Sequence, residues 1–327
     1  MPPKVSIITV SFNGRGFLDS FFNSLAGLDY RNTELIFVDN ASSDGSVGYV
    51  KQNCPAAIVV ENKDNLGFCV ANNEAVERAS GDYLFFLNND TKIDRQAINV
   101  LVEAMDADKN IGICGCRMNS FDGKKYFHTG IGLDIFGYPV AYGPVFYAEG
   151  SAMMMRKEFF QSLGGFDSKY FMFHEDVDIA WRAWLYGYKV VACDKAIVYH
   201  MLGASAGGNI KEGKYRSTLS RRYLSERNNI RTLLKNYSTR FLVLFLPFYV
   251  MINAAEMFLF LIIGQAKVCA CYLRAYLWNI RNIEDTLNER RRIQEQRKVS
   301  DASIIRKMAI TAGKFFALRR TGVPYFK

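Results

Sequence analysis

Over the first two hundred residues, short apolar runs alternate with stretches of helical spacing. Residues 4–10 (KVSIITV) form an apolar run that stops at the turn formers of residues 11–16, and residues 17–28 then repeat at a helical period. Residues 34–38 are a second run, closed by Asp39-Asn40, and Ser42-Ser43-Asp44-Gly45 reads as a loop feeding a helix start. Residues 57–60 are a third strand. Residues 65–79 open with Asn-Leu-Gly and continue as a helix, and residues 82–87 are a fourth strand. Strands alternating with helices of about a dozen residues predict an α/β chain with a parallel sheet and right-handed crossovers.

From residue 111 the pattern loosens into glycine-rich and aromatic segments up to residue 150. Residues 151–156 (SAMMMR) read as a strand, 164–167 as a turn, 175–186 as a helix and 189–193 as a strand. A different region starts near residue 204. Residues 216–235 are a basic amphipathic helix, and residues 241–264 are almost continuously apolar, broken only by Pro247, Asn253 and Glu256. Residues 268–280 form a shorter apolar stretch, and residues 281–298 are strongly basic. The expected division is 1–205 and 206–327.

Composition sharpens this division. At 50% hydrophobic and 22% charged, the 327 residues are not a disordered chain. Residues 201–327 hold 23 Lys and Arg against 8 Asp and Glu, whereas residues 1–200 hold 18 against 24. The second half should therefore meet something anionic. Its basic stretches border apolar runs and carry no nucleic-acid motif, which points to anionic lipid and away from nucleic acid. The seven cysteines contain no CxxC pair, so buried thiols in a reducing cytosolic setting are expected. The first twenty residues lack a signal-peptide layout.

Candidate chemistry gathers where strands end. In an open parallel sheet, ligands bind beyond the carboxyl ends of the strands. The run Leu84-Phe85-Phe86-Leu87 stops at Asn88-Asn89-Asp90, placing Asn88 and a carboxylate able to hold a divalent cation on the floor of a cleft. Asp39 ends another strand and can accept hydrogen bonds from a nucleobase imide or a ribose hydroxyl, unless it only shapes a turn. Gly67 permits close backbone approach to a phosphate or sugar, and Asn72 and Asn73 can hydrogen-bond one. Glu175, Asp176 and Asp178 follow the apolar run Tyr170–Phe173, and three carboxylates there are awkward to bury. On a helix Glu175 and Asp178 share a face while Asp176 projects away; a carboxylate in an apolar pocket can serve as a general base. His200, one of three histidines, follows an apolar run and is a candidate metal ligand. Residues 203–208 (GASAGG) read as a loop that could close over a diphosphate.

Together, KVSIITVSFNG, VDNASSDGS, NLGFCVANNEA, LNNDT, GGFDSKYFMFHEDVDIAWR and YHMLGAS resemble, in order and spacing, the inverting family-2 glycosyltransferases. The resemblance covers roughly residues 4–205, and NLGF and EDVD look most like the rhamnosyltransferase-like branch acting on cell-surface glycans. It implies a GT-A nucleotide-diphospho-sugar transferase fold, Rossmann-like with a mainly parallel sheet. By the resemblance, Asp176 is the catalytic base. Ser11, Asn13, Asp39, Asn40, Asn65, Gly67, Asn72, Asn88 and Asn89 lie on the donor side, and Glu175, Asp178 and Arg182 line the acceptor pocket. Asp90 and His200 hold Mg²⁺ or Mn²⁺, with Asn88 standing where the family has a first carboxylate. No QxxRW follows residue 176, which implies addition of a single sugar rather than polymerisation.

The implied donor is a UDP- or dTDP-sugar and the acceptor a glycan or lipid-linked hydroxyl. The rival readings are a sugar-phosphate nucleotidyltransferase, poorly matched by the first turn, and a glycan-binding scaffold of the same fold. The C-terminal region is expected on the cytoplasmic face of the cell membrane, peripheral or monotopic. The alternative is a homo-oligomer interface. Basic flanks on both sides of residues 241–264 argue against a single crossing.

Overall fold

A computed structural model of the chain describes residues 2–201, 209–211 and 214–326. It divides into two compact units. The first comprises Met1–Gly130, Tyr147–Ala183 and Tyr188–Met201; the second comprises Ile131–Phe146, Trp184–Gly187 and Leu202–Lys327. The second unit thus takes two short segments from within the first stretch of chain.

In the first unit, β1 (Val5–Ser11), α1 (Arg15–Ala26), β2 (Thr33–Asp39), α2 (Ser46–Asn53), β3 (Ile58–Glu61), α3 (Gly67–Arg78) and β4 (Tyr83–Leu87) form the alternating half. The four strands lie parallel in the order β3-β2-β1-β4. All five residues of β4 are buried, which explains why it reads as an unbroken apolar run. There follow β5 (Thr91–Ile93), α4 (Ala97–Ala107), β6 (Ile111–Ser120) and β7 (Tyr126–Thr129). A short hairpin of β8 (Gly132–Leu133) and β9 (Pro139–Val140) belongs to the second unit. Then come β10 (Ala152–Arg156), α5 (Lys157–Leu163), α6 (Glu175–Leu185) and β11 (Lys189–His200).

The expected mainly parallel sheet is in fact mixed. β10 runs antiparallel between β4 and β6, and β11 pairs parallel with β6 but antiparallel with β5. A parallel neighbour needs a long crossover, usually a helix. The irregular segment before β10 contains none. β11 also runs past the expected end at residue 193. A bulge between Cys193 and Ile197 lets the strand bend and resume, so that His200 pairs with Thr91. All seven cysteines are free thiols.

The second unit adds the small sheet of β12 (Asn209–Lys211), β13 (Lys214–Ser217) and a late β14 (Tyr325–Phe326). Its helices are α7 (Leu219–Asn236), α8 (Thr239–Ile262), α9 (Ala266–Arg281), α10 (Ile283–Glu295), α11 (Asp301–Ile305) and α12 (Gly313–Thr321). The basic helix α7 is not a solvated flank. Glu226, Arg227, Asn228, Asn229, Arg231, Lys235 and Asn236 are all buried. Arg231 is fully buried and sits 2.7 Å from both Asp285 and Thr286. Its charge is therefore used inside the unit.

Helix α8 has its polarity turned inside out. Tyr249, Asn253, Glu256 and Phe260 are buried along one stripe. Val243, Met251, Phe258 and Ile262 are 65–72% exposed. Inward, Glu256 pairs with Arg222 and with Lys314 at 2.8 Å, and Lys314 also reaches Glu226 at 2.8 Å and Asn253 at 2.7 Å. Among the described residues α8 alone is long and apolar enough to cross a bilayer, with a mean hydropathy of 1.9. Glu256→Ala should cost about 3–5 kcal/mol, because it leaves two buried cations to share one carboxylate. Phe258→Ser should cost little. Denaturant midpoints of the two variants check this contrast.

Candidate active site

The carboxyl ends of β1, β2 and β4 meet at one edge. Asp39 closes β2 and is 3% exposed. Its Oδ2 accepts from the Ser42 amide at 2.8 Å, while its Oδ1 is buried without a protein donor. The chain turns sharply here: Ala41 and Asn13 both adopt left-handed backbone angles. Asn13 joins the two turns, accepting from the Ser43 amide at 2.9 Å and donating its own amide to Ser42 Oγ at 2.8 Å.

Several residues expected on the donor side use their polar atoms on the protein. Asn40 donates its amide to the Ser11 carbonyl at 2.8 Å and Nδ2 to the Gly67 carbonyl at 3.0 Å. Its Oδ1 accepts from Asn62 at 2.9 Å. Asn65 accepts from the Gly67 amide at 3.0 Å, and buried Asn72 donates to the Phe68 carbonyl at 2.8 Å. Gly67 has φ +78°, and a Cβ there would lie 2.3 Å from the Phe171 carbonyl oxygen. That oxygen accepts from the Phe68 amide at 2.6 Å. Asn73 both donates to and accepts from the Phe166 backbone, at 2.8 and 3.0 Å. The NLGF helix start is thus a clamp on the segment leading into α6.

Beyond β4, Asn88 donates its amide to the Ser151 carbonyl at 2.9 Å and is partly exposed. Asn89 turns inward, donating Nδ2 to Ser11 Oγ at 2.9 Å. A Cβ at Gly14 would collide with that amide at 2.0 Å. Asp90 is 1% exposed and its Oδ1 lies 3.2 Å from His200 Nε2. The Met201 amide donates to the Asp90 carbonyl at 3.1 Å, which fixes the end of β11 beside it. Burial works against a charge on His200, but Asp90 and Glu149 outweigh it and raise its pKa above the usual value.

Glu149, which no pattern in the sequence singled out, lies next to this pair. Its Oε1 is 3.6 Å from His200 Nδ1 and its Oε2 is 3.0 Å from His128 Nε2. Among the described residues no three His, Cys, Asp or Glu side chains form a metal cage of their own. The pair of Asp90 and His200 still offers one oxygen and one nitrogen. That set fits a Mg²⁺ or Mn²⁺ ion whose other ligands are phosphate and water.

Asp176, in the first turn of α6, accepts from the Val177 amide at 2.8 Å and from the Gly150 amide at 3.3 Å. Burial, helped by the nearby Glu149 charge, outweighs these hydrogen bonds and pushes its pKa up to about 6. Glu175 is buried close by: a Cβ at Gly150 would lie 3.6 Å from its Oε1 and from Asp176 Cβ. Phe173 and His174, just before α6, both have positive φ, a strain of about 1–3 kcal/mol each that marks a tightly imposed loop. Asp178 and Arg182 do not join these groups. They form a buried ion pair at 2.9 Å, and Arg182 also donates to the carbonyls of Leu163 and Gly165 at 2.8 and 2.9 Å. Residues 203–208 lie outside the described residues.

The family model described as "Glycosyl transferase family 2" matches residues 6–164. The chain carries a family-2 glycosyltransferase domain. Asp176 and His200 fall beyond the matched span, so their places in the site rest on geometry. The chain is similar to an N-acetylglucosaminyl-diphospho-decaprenol L-rhamnosyltransferase of Mycobacterium tuberculosis. The two are 25% identical over 242 residues, 63% of this chain and 79% of the relative. Among solved structures, GalNAc-T7 with UDP, GalNAc and Mn²⁺ aligns with a TM-score of 0.58 at 16% identity. The alignment covers 73% of this chain and about half, 49%, of that one. The mannosyltransferase PcManGT from Pyrobaculum calidifontis, with GDP-Man and Mn²⁺, aligns at 0.54 and 15% identity, covering 90% of this chain and 87% of its own. At such identities the structural likeness is one of fold, and that fold is GT-A.

Gly67→Ala should destabilise this glycosyltransferase by about 1–3 kcal/mol, since it combines left-handed strain with a backbone collision. It should also loosen the segment before Asp176. Thermal unfolding and proteolysis within residues 166–174 report both effects.

Proposed function

We propose that this glycosyltransferase adds a single sugar, with inversion, from a nucleoside-diphosphate sugar to a hydroxyl of a lipid-linked glycan at a membrane surface. The observation that carries the reading is the place of Asp176. It accepts from the Gly150 amide, next in sequence to Glu149, which lies 3.6 Å from His200 of the His200–Asp90 pair. Burial pushes the Asp176 pKa up to about 6. A general base should have a pKa near the working pH.

Asp39 Oδ1 is a buried acceptor in need of a donor, and the imide N–H of uracil or thymine supplies one. Asn88, partly exposed at the end of β4, faces the donor's sugar-phosphate part. Asp90 and His200 hold Mg²⁺ or Mn²⁺, which when bound neutralises the departing diphosphate. Asp176 takes the acceptor hydroxyl proton as that oxygen bonds to the anomeric carbon, and the bond from that carbon to the diphosphate breaks on the opposite face. With a single protein carboxylate at the cation, metal binding should depend on the donor's own phosphates.

The acceptor class follows from the second unit and from the Mycobacterium relative, whose name gives a polyprenyl-diphosphate-linked sugar. The exposed apolar face of α8, with exposed Arg240, Lys267, Arg274 and Arg281 around it, suits insertion into the cytoplasmic leaflet as a monotopic contact. The protein would then meet a lipid-linked acceptor where it lies.

Asp176→Asn should keep UDP binding and lose about 10²–10⁴-fold in transfer. The wild-type rate should fall about tenfold per pH unit below pH 6, as Asp176 becomes protonated, while the residual rate of Asp176→Asn stays flat there. Transfer by Asp176→Asn at the wild-type rate would remove Asp176 from the mechanism. Val243→Asp combined with Phe258→Asp should abolish sedimentation with anionic phospholipid vesicles and leave the unfolding midpoint in detergent nearly unchanged. Undiminished sedimentation would count against the membrane contact.

A further inference from the structure

Two of the three histidines of this chain, His128 and His200, lie on either side of one carboxylate, Glu149. The four groups run in sequence. His128 Nε2 is 3.0 Å from Glu149 Oε2, Glu149 Oε1 is 3.6 Å from His200 Nδ1, and His200 Nε2 is 3.2 Å from Asp90 Oδ1. Glu149 therefore meets the ring nitrogen of His200 that faces away from Asp90. A carboxylate at that nitrogen does not compete for the cation. At 3.6 Å it stands just beyond hydrogen-bond range; closing that gap by a few tenths of an ångström would favour the proton on Nδ1 and leave the Nε2 lone pair on the Asp90 side. Histidines that bind metal are commonly oriented in this way by a carboxylate behind them.

We propose that Glu149, steadied by His128, is a positioning residue that orients the His200 imidazole for the cation. The inference rests on the reading of Asp90 and His200 as the cation pair. Its importance here comes from Asn88. With an amide at the end of β4 in place of a carboxylate, the protein contributes one anionic and one neutral ligand, and a freely rotating ring would leave only Asp90. Glu149 comes from the segment just before β10, and His128 from β7, where it pairs with Met118 of β6. His128 is thus placed by the sheet, and Glu149 lies three residues before β10 begins.

The test measures Mn²⁺ affinity by calorimetry on the full chain with saturating UDP, alongside UDP affinity without metal and the unfolding midpoint. Glu149→Gln should weaken Mn²⁺ binding about 10–100-fold while UDP binding without metal stays unchanged. His128→Ala should weaken it less. His128→Gln, which keeps a donor for Glu149, should recover most of the loss. The double variant Glu149→Gln/His128→Ala should be no worse than Glu149→Gln alone, because His128 acts through Glu149. Wild-type Mn²⁺ affinity in Glu149→Gln, or a full additive loss in the double variant, overturns the proposal. Failure of the wild-type protein to bind Mn²⁺ with UDP would instead overturn the cation pair itself, and this inference with it. If Glu149→Gln does not fold, the two His128 variants carry the same comparison.

Discussion

The site depends on the antiparallel register of β10 against β4. Ala152 pairs with Leu87, and the Ser151 carbonyl accepts the Asn88 amide one step further on. This register carries Glu149 and Gly150 to the end of β4, beside Asn88-Asn89-Asp90. Gly150 in turn presents its amide to Asp176, and Glu149 approaches His200. A slip of one residue would turn every side chain of β10 to the other face of the sheet. The buried methionines Met153, Met154 and Met155 would all move, so packing on both faces opposes a slip. A second register fixes His200. The bulge in β11 resets the strand so that His200 pairs with Thr91, next to Asp90.

The second unit follows a different logic. Beside apolar side chains such as Phe260, Val268 and Ile230, its interior holds a charged cluster. Glu226 and Glu256 balance Arg222 and Lys314, with Asn253, Tyr138 and Tyr272 completing the hydrogen bonds. Such a cluster gains little net stability over an apolar core, because desolvating the charges offsets their attraction. It does dictate which face of α8 points inward. The outward face keeps large apolar side chains that water disfavours at about 25 cal/mol per Å². A lipid surface removes that cost, which links the odd interior to the proposed place of action.

Much of the architecture was readable because its causes are local. The four alternating strands stop where Asp39 and Asp90 follow apolar runs, and both carboxylates are found at one edge of the sheet. Asp176 could be proposed from three acidic residues behind an aromatic run. For other residues the folded chain supplies partners that no pattern in the sequence revealed. Arg182 is held by Asp178 and by the carbonyls of Leu163 and Gly165. Asn65 and Asn72 hydrogen-bond backbone groups close by, and Asn40 is held by the Gly67 carbonyl and the Asn62 side chain. The basic helix looked like a headgroup contact, yet Arg231 is buried against Asp285 and Thr286. Glu149 left no trace at all: a lone acidic residue in an irregular segment has no periodicity to betray it.

The sequence by itself determined the alternating strands and helices, the carboxylates at strand ends and the apolar character of residues 241–264. Each depends on residues close along the chain, where periodicity and turn chemistry act. Only the tertiary structure decided which polar groups face the site and which brace the fold. It brought Glu149, His200 and Asp90 together from three separate strand ends, and it turned the polar stripe of α8 inward. Those outcomes depend on strand register and on pairings across the chain, which no local pattern encodes.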